Sequence, residues 1–143
     1  MEASTPFLPS REEVRARYAV RLLADARATE RGVVHREDGS ERLLEWGEVQ
    51  RALAAEVGEP QGVRTTVFDL VVTVEGSYQA WRFDAEPGEE AAQVARAISH
   101  GLPPERLGGS IKSLAADGLA ADWHPDLASF EEAALAALVR DGV

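Results

Sequence analysis

Asp117, Asp122, His124 and Asp126 are the side chains best placed in sequence to do chemistry, because carboxylate oxygens and an imidazole close together can hold a divalent cation. Their spacing matches neither a helix face nor a metal-binding loop, and His124-Pro125-Asp126 reads as a solvated turn that opens a helix. No metal or other cofactor is therefore expected. Asp69 is the second candidate. Between Phe68 and Leu70 it has the apolar neighbours that raise a carboxylate's pKa and make it a base. No histidine, serine or second acid stands beside it, and strand alternation puts it on a solvated face, across from Arg82. His35, His100 and His124 are widely separated, and no HExxH, GxSxG, GxGxxG or GxxxxGK[ST] pattern occurs. Without cysteine there is no thiol nucleophile, thiolate metal site or disulfide. The expectation is a protein without catalysis. The rival reading is a small ligand sensor or enzyme that uses Asp69 or the stretch 122–126.

These groups need a framework, and its centre is 62–84, the densest run of β-branched and aromatic residues in the chain. Alternation puts Arg64, Thr66, Phe68, Leu70, Val72 and Val74 on one face, and Val63, Thr65, Val67, Asp69, Val71 and Thr73 on the other. The first face is expected in the core and the second at most half covered. Glu75-Gly76-Ser77 breaks the run where a hairpin would turn, and Trp81 and Phe83 return to the core face. Ahead of it, Ser10 and Glu13 form a capping box for a helix that gives way to a strand somewhere within 11–28, with a helix ending near Arg17 and a first strand over 18–26 as the competing reading. Asp38-Gly39 is a two-residue hairpin signal between strands 33–36 and 41–46. Residues 49–57 fit a short helix by propensity and a strand by alternation.

Beyond the hairpin, Pro87, Glu89 and Glu90 begin a helix over 88–100, with Ala91, Val94, Ala97 and Ile98 as its apolar stripe and Gly101 as its C-cap. Composition shifts at Pro103. Leu107-Gly108-Gly109-Ser110 is linker-like, and Ser129-Phe130-Glu131-Glu132 is a second capping box before an alanine-rich helix. The expected organisation is a loose leader over 1–10, an α+β domain over 11–102, and a linker with a helical tail over 103–143. The fold class is α+β: an antiparallel sheet or open barrel of short hairpin-linked strands, closed by a C-terminal helix.

The order of elements, with Leu43-Leu44-Glu45-Trp46-Gly47-Glu48-Val49 as the specific point of contact, resembles bacterial pleckstrin-homology-like domains over about residues 18–101. In those domains an aromatic residue follows a short apolar run at a strand end, and a branched aliphatic opens the next strand. The resemblance implies a binding module with no catalytic residues, and makes 49–57 a strand. The basic loop of lipid-binding members is missing here.

Twenty-five acids against fifteen bases give a net charge of −10, which argues against nucleic acid and anionic membranes as partners, since both need a basic footprint. No stretch approaches the roughly 20 apolar residues of a membrane span, and no signal peptide is visible at the N-terminus, so cytoplasmic residence is expected. The remaining function class is an adaptor or regulatory module that binds another protein, with a homo-oligomer through the sheet face as a further form. Trp123, Phe130, Leu135 and Leu138 are the expected partner-binding anchors, because an alanine-rich helix buries little area alone and must dock on a sheet or in a groove.

Overall fold

The computed structural model describes residues 18–58 and 62–141, and the expected leader and first helix lie outside them. The chain runs through β1 (Tyr18–Leu22), β2 (Ala24–Ala28), β3 (Gly32–Glu37), β4 (Ser40–Glu45), β5 (Arg51–Gly58), β6 (Arg64–Val74) and β7 (Ser77–Ala85). It continues through α1 (Glu89–Gly101), α2 (Gly109–Asp117), the two-residue β8 (Trp123–His124) and α3 (Leu127–Asp141). The two predicted hairpins form where local chemistry allows them. Asp38-Gly39 and Glu75-Gly76 each place both turn residues at positive φ, the type I′ geometry whose twist matches paired strands.

The strands make two sheets. One has the order β1-β7-β6-β5-β8 and the other β2-β3-β4. The expected α+β class and antiparallel pairing hold through β5-β6-β7 and β2-β3-β4, while both edges of the larger sheet, β1 on β7 and β8 on β5, are parallel. No barrel closes. Leu23 joins β1 to β2 and donates its N–H to the Arg82 carbonyl at 2.8 Å, so nearly continuous backbone passes from one sheet into the other. The stretch 49–57 resolves as strand from Arg51 on, because the whole of β5 lies along β6, from Arg51 opposite Val71 to Gly58 opposite Arg64.

The main core lies between the sheets, under α1 and α2. Phe68, Leu70, Val72, Phe83 and Ile98 are buried there together, with Trp81 and Val94 at its margin. Helix α1 turns Ala91, Ala92, Ala95 and Ile98 inward, which rotates the expected stripe away from Val94 and Ala97. Ile111 and Leu114 of α2 belong to this same core. Residues 103–141 thus add α2 to the main core and α3 to the opposite face of the larger sheet, where Phe130, Ala134, Leu135 and Leu138 are buried.

Gly101 sits inside α1 and Leu102 caps it. A Cβ at Gly101 would stand 2.4 Å from the Trp46 indole, whose Nε1–H is held by the Thr29 carbonyl at 3.1 Å. Alanine is the better helix former by about 1 kcal/mol, yet a core that is already filled loses about 1–3 kcal/mol when a methyl is forced in. Gly101→Ala is therefore expected to lower the urea midpoint. A raised midpoint would mean that the ring yields freely.

Candidate functional site

The second face of the larger sheet was expected to be half solvated, but α3 covers much of it. Phe130 packs on Ala55, Val57 and Val67, while Leu135 and Leu138 pack on Tyr18, Val71 and Ala80. The match is metric: eight helical residues from 130 to 138 advance about 12 Å, and four strand residues from 67 to 71 advance about 13 Å. The helix runs along the strand and seals what lies beneath it.

Asp69 is beneath it, with 0% of its surface exposed. The expected partner across the strands is correct, since Asp69 and Arg82 are opposite in register, but the solvated setting is not. Arg82 donates from Nε to Asp69 Oδ1 at 2.7 Å and from Nη2 to Oδ2 at 2.8 Å, a bidentate fork. The Tyr18 hydroxyl donates to the same Oδ2 at 2.7 Å. From α3, Glu131 accepts a third Arg82 bond at 2.8 Å. Burial pushes the Arg82 pKa down, but the bonds and charge of Asp69, and then of Glu131, outweigh it and the net shift is upward. Every oxygen of Asp69 is engaged, so its chemistry is that of an anchor between β1, β6, β7 and α3.

Tyr18 titrates with the same network. Burial raises its pKa well above the ordinary value, and the charge of Asp69 and its hydrogen bond raise it further. A folded pKa above the unfolded one means that stability is intact below about pH 10 and is lost as pH rises from there toward the folded value. The wild type is expected to lose up to about 1.4 kcal/mol per pH unit in that window from this group. Tyr18→Phe should be less stable at pH 7 and show a shallower alkaline decline in urea titrations. Parallel declines would remove Tyr18 as the cause.

Where α3 begins, the cover ends. The chain reaches the sheet through β8, crosses Gly58 so closely that a Cβ there would lie 3.1 Å from the Pro125 carbonyl oxygen, and turns into the helix. Asp126 caps it, its Oδ1 accepting the Ser129 N–H at 2.8 Å, in place of the capping box expected from Ser129 itself. The helix then runs away from this end of the sheet. A groove of about 490 Å3 remains, walled by Leu22 and Leu23 from the β1 end, Val57 and Gly58 from β5, Thr65 and Val67 from β6, and Leu127 from α3. Arg82, Phe83 and Asp84 of β7 complete it. Its volume lies within the range of about 300–1,000 Å3 typical of built ligand sites. Leu22 is 76% exposed and Leu127 43%, so large aliphatic side chains stand at its rim.

The residues singled out in sequence are placed apart from this groove or beneath it. Phe130, Leu135 and Leu138 are buried against the protein's own sheet. Trp123 is 52% exposed, with the Arg64 guanidinium 5.6 Å from its ring centroid. It pairs with Glu56, which alternates with the α3-covered Ala55 and Val57, so it belongs to the sheet's other face. The four metal candidates do not converge. Asp117 accepts the Leu119 N–H, Asp122 binds Ser110, and Asp126 caps α3. His124 Nδ1 lies 3.0 Å from Ser129 Oγ. Among the described residues no three histidine or acidic side chains come together as a metal would require. The sequence reading gives no binding role to the groove-lining Leu22, Leu127 and Asp84. The signal that could have found the first two is a large aliphatic at the end of a strand and at the start of a helix, where solvent is near.

Among the described residues no helix is long and apolar enough to cross a membrane. Compared with known protein families, curated proteins and solved structures, the chain matches none, and its function must be argued from the fold and the groove alone.

Proposed function

We propose that the protein is a non-catalytic adaptor or regulatory module of the cytoplasm that binds another protein through the groove at the open end of the larger sheet. The carrying observation is the groove itself: about 490 Å3, with Leu, Val and Phe in its walls and with Leu22 and Leu127 exposed at its rim. Exposed apolar side chains around a concavity are costly to leave in water, and a partner that covers them recovers that cost. The resemblance to pleckstrin-homology-like domains supports the same reading, because those domains are mostly binding modules.

A photo-reactive amino acid at Leu22 or Leu127 tests it in cells. Covalent adducts to another protein are expected from both positions and not from Val139, which is 49% exposed on α3 away from the groove. Adducts that are the same from all three positions, or absent from the groove positions, would end the proposal.

The volume also favours a second reading, a small-ligand sensor. A thermal-shift screen of metabolites, nucleotides and metals separates the two, since a ligand-specific rise belongs to the sensor alone.

A further inference from the structure

The charges around the groove select what can enter it. Among the described residues of its walls Arg82 is the only cation, and it is 5% exposed and held by Asp69 on one side and Glu131 on the other. An anionic group approaching Arg82 would have to compete with Glu131 for the outer nitrogen, and would meet two carboxylates where it sought one guanidinium. Asp84 lies two residues further along β7, so alternation gives it the same face as Arg82. It stands opposite the buried Val67 in register, lines the groove, is exposed, and makes no hydrogen bond or ion pair with a described residue. The apolar floor therefore ends in a carboxylate that lacks a counter-charge among the described residues.

Resting on the reading of this groove as a protein-binding site, we infer that its occupant is a peptide segment of another protein that combines large aliphatic or aromatic side chains with a lysine or arginine. The apolar side chains fill the concavity between Leu22, Val57, Val67 and Leu127, and the cation meets Asp84 at its edge. The overall charge of −10 attracts such a segment from a distance, while Asp84 decides where its cation comes to rest. Acidic segments are rejected by Asp84 and Glu131 together, which gives the site a preference as well as an affinity.

The test uses a displayed library of random peptides, about twelve residues long, selected on the full chain and counter-selected on the Leu22→Glu/Leu127→Glu variant. Enrichment of sequences with apolar residues and one or more Lys or Arg is expected. Their binding should weaken about tenfold or more in Asp84→Lys and stay within about twofold in Glu105→Lys, which changes net charge equally at an exposed site after α1. Enriched sequences that are neutral or acidic, equal losses in the two lysine variants, no groove-dependent enrichment, or a groove-dependent dimer of the chain itself would each overturn the inference. If photo-adducts from Leu22 persist in any of those cases, the binding-module reading stands and only the partner chemistry fails. If the adducts are missing as well, both fail.

Discussion

Asp69→Ala is expected to cost about 3–5 kcal/mol of folding stability, the penalty for breaking a buried ion pair from one side. The substitution removes the acceptor of three hydrogen bonds at once. Arg82 would keep its charge inside the protein with only Glu131 to answer it, and the Tyr18 hydroxyl would lose its partner. Arg82→Met should be similarly costly, because it strands the Asp69 carboxylate at a site with no exposed surface. The double variant Asp69→Leu/Arg82→Met should lie much closer to wild type than either single change, since the desolvated pair is replaced by apolar groups. Urea unfolding of wild type, Asp69→Leu, Arg82→Met and the double variant gives the coupling directly. A cost below about 1 kcal/mol for Asp69→Ala would match an exposed pair and contradict the sealed network. Against a total of about 5–15 kcal/mol for a domain, single changes here put folding itself at stake.

The second large effect is expected in α3. Leu135 is fully buried against Val71, Ala80 and Tyr18, and a Leu→Ala change at such a site costs about 2–5 kcal/mol through lost transfer energy and the cavity left behind. Leu135→Ala should lower the unfolding midpoint in a single cooperative step. Amides of 130–138 should exchange as slowly as those of β6. Removal of everything after residue 102 should unfold the remainder, because it strips Ile111 and Leu114 from the main core and uncovers Val57, Val67, Val71 and the Asp69–Arg82 pair. A truncated chain with near-wild-type stability, or fast exchange in 130–138, would show that α3 is only loosely attached. Its burial also bears on function: Phe130, Leu135 and Leu138 cannot hold a partner while they hold the sheet, so the groove beyond Leu127 and the exposed Trp123 are the surfaces to probe.

What the sequence determined by itself was whatever a few neighbouring residues decide together. The hairpins at Asp38-Gly39 and Glu75-Gly76 follow from a glycine, which takes positive φ freely, at the second turn position between alternating strands. The core set Phe68, Leu70, Val72 and Phe83 follows from period-two alternation, and the helix after Gly88 from its acidic first turn and small-residue face. The Asp69–Arg82 pairing was legible too, because a two-residue turn sets the register of both strands.

Only the tertiary structure decided how distant segments meet. Residues 49–57 carry helix and strand signals of similar strength, and β6 settled the matter by offering a full ladder. The parallel edges need β1 and β8 to reach the sheet from far along the chain, and nothing local encodes that approach. Asp69 reads as solvated because the helix that buries it lies about sixty residues away, on the far side of a stretch that reads as a linker. The groove is the least legible of all. It exists because α3, capped by Asp126, starts at Leu127 and runs toward Tyr18, leaving Leu22 exposed and Thr65 only half covered, and the place where a packed helix ends its cover is a property of two elements in contact, which no single stretch of residues contains.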